Sequence, residues 1–361
     1  MSKVFKCALV VLLVAMGVSC QRPRETPSPT PLRRLDSLLY SELNEHQRWV
    51  IVQVEPRTQT SHLWIDELDV CCPSRSPDGR RVAYLERGKE LESWSLWIAD
   101  FDGQNAVHIS KPYSFKATPR NIEWSFDSQY IAFCAREDAD AARYIYVLDA
   151  TKGQEILSVP GWDSAWSKAA NRFVVYGGAS AYNLKIVDIP NGIVRRLPDV
   201  NIPNFYDALD WTLDGRTVIF PSVSGPNQYS LQTIYAIDAD GSNLRELTRD
   251  TAQLITRDIG DVHLSPDGKF LLFRSRFNTK EGTGDEGLMV MDLGSGKVRK
   301  LASSTTGPVA WSPDSKYVTF GGMKDQQGNK IRSFELFMVA LESGTITRLT
   351  HNEAAPEGLT W

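Results

Sequence analysis

Long hydrophobic runs are nearly absent from this chain of 361 residues: the one that stands out is Cys7–Val18, at its start. Twelve residues fall well short of the ~20 that a membrane-spanning helix needs, so no stable span is read. Cysteine is scarce too, at five residues, and the adjacent Cys71 and Cys72 with a distant Cys134 lack metal-finger spacing. Charge of one sign is missing: 40 basic against 44 acidic residues leave −4, and no basic stripe is interleaved with aromatics. Nucleic acid is therefore not an expected partner. A glycine-rich phosphate loop, a G-x-S-x-G elbow and an H-E-x-x-H pair are all missing, and the five histidines are scattered. No cofactor, metal or catalytic residue is assigned on these grounds. What is abundant is core material, with ten Trp, twelve Tyr and fourteen Phe.

The opening run matters because of its flanks. Lys3 and Lys6 precede it, and Gly17 and Ser19 lead into Cys20, the layout of a secretory signal. The segment resembles a bacterial lipoprotein signal, which implies removal of residues 1–19 and lipidation of Cys20. Residues 20–47 are expected to form a Pro-rich tether, QRPRETPSPTPLRRL, followed by a short amphipathic helix over 36–47. In an exported protein, a disulfide from Cys134 to Cys71 or Cys72 and buried free thiols are the two alternatives.

Residues 48–361 are organised by a repeat. SPDG at Ser76–Gly79 recurs as SFDS at Ser125, TLDG at Thr212, SPDG at Ser265 and SPDS at Ser312, with a degenerate SKAAN at Ser167. The residues preceding these copies, with the last residue of the chain, are Arg75, Trp124, Trp166, Trp211, Leu264, Trp311 and Trp361, about 48 apart on average. Each copy continues into a β-rich run such as YIAFCA or YVTFGG, then one such as IYVLD or LMVMD, then a glycine turn and a closing run such as VRKLA. Six units of four strands result. WVIVQVE at Trp49 and HLWIDEL at His62 read as second and third strands of a seventh, for which the terminal EGLTW supplies the first. The expected fold is an all-β, seven-bladed β-propeller with a split closing blade of three or four strands; a six-bladed ring is the alternative.

The repeated W-S-P-D-G, I-A-F, I-Y-V-x-D and R-x-L-T resemble the WD40-like (PD40) repeats of TolB and its relatives over about residues 48–361. The resemblance implies a propeller used either for binding or as part of an enzyme. Within it, the tryptophans read as plates between blades, and Asp100, Asp149, Asp188, Asp238 and Asp292 as turn-bonding acids. Long loops between second and third strands, at 86–95, 136–144, 222–232, 276–287 and 323–333, are expected to crowd one face and recognise a partner. Trp94, Tyr144, Phe205, Tyr206 and Tyr229 are the contact candidates. The leading reading is a monomeric, non-enzymatic envelope or cell-surface lipoprotein that binds a protein or peptide. The alternative is a carbohydrate-active lyase or hydrolase, with His263 and His351 converging from different blades.

Overall fold

A blade strand flanked by other strands packs against a neighbouring blade on each side, so it needs apolar residues on both faces. Val-, Ile- and aromatic-rich runs satisfy that requirement without helical periodicity. The computed structural model describes residues 37–65, 69–89, 93–114, 122–137, 141–178, 183–198, 209–223, 232–248, 256–279, 282–303, 305–323, 334–351 and 356–361. Their strands form seven antiparallel sheets. Blades 1 to 6 begin with first strands at Val70–Arg75, Glu123–Trp124, Asp163–Trp166, Asp210–Trp211, Thr256–Leu264 and Thr305–Trp311. Blade 7 takes its first strand from the C-terminus, Glu357–Thr360, and the others from Leu38–Leu43, Trp49–Glu55 and Thr60–Leu63. First strands of successive blades touch one another all the way round.

Seven apolar clusters lie between the blades, one at each junction. Blades 1 and 2 share Leu85, Trp124 and Phe133, whereas blades 3 and 4 share Tyr176, Trp211 and Phe220. The ring closes through Leu38, Tyr40 and Val52 against Leu336 and Leu349, and through Leu39 and Ile51 against Val70 and Tyr84. Trp211 is fully buried; at ~25 cal/mol per Å² its ~200 Å² contributes about 5 kcal/mol. Its Nε1–H donates to the Ala165 carbonyl of the preceding blade, at 2.8 Å. Trp124 and Trp311 do the same to Ser74 and His263. In blades 2, 4 and 6 the indole is a plate that also supplies a directed bond across the junction.

The repeated turn is held by its own side chains. Ser76 Oγ donates to Asp78 Oδ1 (2.6 Å) and accepts from the Arg81 N–H (2.9 Å), while Asp78 Oδ1 takes the Arg80 N–H (3.0 Å). Gly79 sits at φ +74°, where a Cβ would be strained. Thr212 and Asp214 reproduce the set, and the Thr212 hydroxyl holds the Asp214 carboxyl below its usual range. The register acids also bond to turns: Asp149 Oδ1 accepts from the Thr151 and Lys152 N–H groups, and Asp292 Oδ1 from that of Ser295.

Three expectations need correction. Leu38–Leu43 is a strand, not the short helix expected over 36–47: Leu38 and Tyr40 face blade 6 while Leu39 faces blade 1, so burial on both faces mimicked an amphipathic pattern. Trp49–Glu55 and Thr60–Leu63 are accordingly third and fourth strands of blade 7, which has four strands, and the propeller begins ten residues before position 48. Much of the expected 86–95 and 276–287 loops is ladder: Arg87 pairs with Trp94, and Thr279 with Gly282. Among the described residues no helix is long and apolar enough to cross a membrane. Cys20 and the tether before residue 37 lie outside the described residues, as do Phe205, Tyr206 and Tyr229.

Candidate functional site

Where first strands crowd together, polar side chains must find partners within the ring. Blades 1, 3 and 6 place a small residue just before the tryptophan position, Ser74, Ala165 and Ala310, but blade 2 places Glu123, blade 4 Asp210 and blade 5 His263. Asp210 is buried, and its carboxylate joins three blades. Oδ1 accepts from the Trp211 N–H at 2.7 Å and pairs with Lys168 Nζ of blade 3 at 2.9 Å. Oδ2 accepts from the Leu264 N–H of blade 5 at 2.7 Å. Lys168 occupies the turn where other copies have Pro77 or Pro266, and 44% of its side chain is exposed. Desolvation opposes its charge, but the Asp210 carboxylate outweighs that and holds the ammonium above its ordinary pKa.

His263 extends this arc. Burial pushes its imidazole pKa down, Asp261 and Asp210 pull it up, and Lys168 and Arg274 oppose protonation, with a net lowering. Arg274 pairs with Asp261 at 2.9 Å and donates to the Gly307 carbonyl of blade 6 at 2.8 Å. An imidazole whose protonation is disfavoured in this way is chemically a base or a hydrogen-bond partner. His351 is exposed beyond the fourth strand of blade 6. Among the described residues no group of three or more His, Cys, Asp or Glu side chains is arranged to hold a metal ion.

A second cluster contains two of the five aromatic candidates. Trp94 is a strand residue, 5% exposed, in the core between blades 1 and 2, and Tyr144 is half-buried against the same core. Tyr113 stacks edge-on to Phe133 at 5.1 Å and lies 4.5 Å from the Tyr146 ring, while its hydroxyl donates to Glu155. Burial, with the nearby carboxylates, pushes the Tyr146 phenol up to about 12. Lys111 and Glu137 cap the group with an exposed ion pair at 2.8 Å. Cys134, whose thiol burial raises to about 12, forms no disulfide in this structure, nor do Cys71 and Cys72, so the thiol alternative is the one observed.

The sequence carries a faint signal for Lys168 and Asp210: a lysine stands where Pro77, Pro266 and Pro313 occur in other copies, and an aspartate where Ser74, Ala165 and Ala310 do. Both sit beside the degenerate SKAAN copy, which lacks the turn aspartate. There Asn171 reaches back to Asp127 Oδ2 of blade 2 instead, at 2.8 Å.

Comparison with known proteins places this geometry. The family model of the TolB beta propeller domain matches residues 74–333. An uncharacterized peptidase of Bacillus subtilis, YuxL, is 24% identical over 213 residues, 57% of this chain and 29% of that protein. An uncharacterized Agrobacterium fabrum protein is 24% identical over 183 residues, 50% of this chain and 55% of its own length. The chain thus spans about half or less of the curated relatives it matches. TolB from Acinetobacter baumannii has a TM-score of 0.56 at 17% identity, covering 86% of this chain and 78% of that one. The β-propeller domain of the Trilobed protease from Pyrococcus furiosus has a TM-score of 0.59 at 16% identity, covering 87% and 92%. That propeller has an open velcro topology, whereas here Glu357–Thr360 pair with the second strand of blade 7. The solved structures share the fold, and the match over residues 74–333 makes this chain a member of the TolB β-propeller domain family.

Proposed function

We propose that the protein is a non-enzymatic envelope lipoprotein, held by a lipid on Cys20 and facing the periplasm or cell exterior, whose propeller binds a protein or peptide as a monomer. One observation carries this reading: Lys168, Asp210, Asp261 and Arg274, the charged groups around His263, are engaged in holding the ring. Asp210 is bonded by three blades, and Arg274 by Asp261 and the Gly307 carbonyl. Groups committed in this way are poorly placed to act as nucleophile or proton donor. Recognition then falls to Tyr144, which opens the third strand of blade 2, and, by sequence, to Tyr229 in the 222–232 segment and to Phe205 and Tyr206 between the last strand of blade 3 and the first of blade 4. Affinity capture on the purified protein should retain one partner that Tyr229→Ala or Tyr206→Ala releases; recovery of the same proteins by every loop variant would refute specific binding. Metabolic lipid labelling lost in Cys20→Ala supports the anchor, and labelling that persists removes it.

A second reading rests on His263. It stands on the first strand of blade 5, two residues from Asp261, and burial holds its pKa below the ordinary value against the pull of Asp261 and Asp210; an imidazole of this kind can serve a carbohydrate-active lyase or hydrolase as base. Turnover of acidic or neutral oligosaccharides, with or without divalent metal, that vanishes in His263→Ala would favour it. Absence of turnover across that screen would leave binding as the function.

A further inference from the structure

The first strand of blade 1 carries two consecutive cysteines at the point where the C-terminal strand enters the ring. Cys71 is fully buried and Cys72 nearly so, and both are thiols. The strand bulges between Cys71 and Ser74, with Cys72 at φ +61°. Their side chains pack in the core between blades 1 and 2, and three contacts link the Cys72 backbone to the closing strand through Ser41 and Gly358. Ser41 Oγ donates to the Glu357 carbonyl at 2.5 Å, and the Cys72 N–H donates to the same Oγ at 3.2 Å. A Cβ at Gly358 would lie 2.8 Å from Cys72 Cα, so the two backbones meet with no room between them. Burial and the neighbouring Cys72 and Glu357 push the Cys71 pKa well up, which suppresses thiolate while the strand is seated.

We propose that Cys71 and Cys72 form a redox-modifiable dithiol beneath the closing strand, oxidised to a vicinal disulfide by a disulfide oxidant when Glu357–Thr360 leave their seat. One cysteine, as thiolate, attacks the oxidant's S–S bond to give a mixed disulfide and a released thiol. The other then displaces the second half of the oxidant, closing the protein S–S bond. Two protein thiol protons end on the two released thiols, and the oxidant gains the two electrons the protein loses. Adjacent Cα atoms across a trans peptide are 3.8 Å apart, below the 4.4–6.8 Å of ordinary disulfides, so the product is strained and reverses readily with excess thiol. Forming it also moves the Cys72 backbone, on which Gly358 rests, so the oxidised pair does not accept the strand in its present position. The site therefore couples thiol oxidation to ring closure, and it is independent of the proposed anchor and partner.

The test uses the full chain with 2,2′-dithiodipyridine, following thiopyridone release and the mass of the peptide containing Cys71 and Cys72. In the native protein that peptide should lose two hydrogens slowly. Ser41→Ala, which removes both side-chain bonds at the seat, should speed the loss about tenfold. Phe220→Leu, which loosens the junction of blades 3 and 4, distinguishes local release from global unfolding and should leave the rate unchanged. Retention of two free thiols in Ser41→Ala under conditions that oxidise the urea-unfolded chain would overturn the proposal. Equal acceleration by Phe220→Leu, or a stable mixed disulfide with no second displacement, would overturn it as well.

Discussion

The hydroxyl of Ser128 in blade 2 accepts a hydrogen bond from the backbone N–H of Asp78 in blade 1, at 3.2 Å. Ser128 stands where the first copy has Gly79, and it keeps the left-handed backbone at φ +61°. Ser315 repeats the device, accepting from the Asp267 N–H of blade 5 at 3.0 Å. Serine at these turns thus tolerates backbone strain in return for a bond between blades. Ser128→Ala keeps the strain and loses the bond, so it should cost about 1 kcal/mol in urea unfolding. Ser128→Gly relieves the strain and should lie within about 0.5 kcal/mol of the native protein.

The Asp210 hub predicts an asymmetry between its two charged members. Asp210→Ala strands the Trp211 and Leu264 N–H groups and should cost about 3 kcal/mol. Lys168→Met should cost less than about 1 kcal/mol, because 44% of the lysine side chain meets solvent. Chemical unfolding of both variants checks the order; equal losses would mean that the ion pair, not the backbone bonds, dominates.

Acid sensitivity follows from the turn aspartates. Burial of Asp149 would raise its pKa, but the Thr151 hydroxyl, with the Thr151 and Lys152 N–H groups, lowers it to about 2. A depressed folded pKa stabilises the fold above the unfolded value of ~3.9 and loses that contribution as pH falls toward 2. The gap in unfolding midpoint between native protein and Asp149→Asn should therefore be widest near neutrality and close between about pH 4 and 2. A gap independent of pH would remove the carboxylate from the account.

Deleting residues 357–361 removes the first strand of blade 7, the Ser41 bond to Glu357 and the Thr360 Oγ1 acceptor for the Arg75 N–H. The expected outcome is loss of the single cooperative transition in calorimetry, not a frayed tail. An unchanged transition would show that the remaining three strands suffice.

Turn chemistry makes the repeat legible. Ser, Asp and Gly at fixed offsets have few alternatives to a tight reversal, so Ser76–Gly79 and Ser265–Gly268 mark by themselves the turn between the first and second strands of a blade. Blade 7 was harder, because Leu38, Leu39 and Tyr40 carry apolar residues on both sides of a strand and imitate the spacing of a helix. Trp94 reads as a loop residue in the sequence because nothing local says how far a hairpin ladder extends, and the ladder reaches the Arg87–Trp94 pair. The Lys168–Asp210 pair was opaque for another reason: its members are 42 positions apart, and only ring geometry brings them together.

The split blade also governs when this molecule can exist. Ser41 and Glu357, bonded in the closed ring, are separated by 316 positions, so the last contact formed has nearly the longest loop the chain allows. Long-range pairing of this kind slows folding. A chain emerging from its N-terminus presents Leu38–Leu43 as an open edge until residue 357 arrives, and no shorter nascent chain can cover it. That edge therefore stays open through synthesis until Glu357–Thr360 are available to cover it.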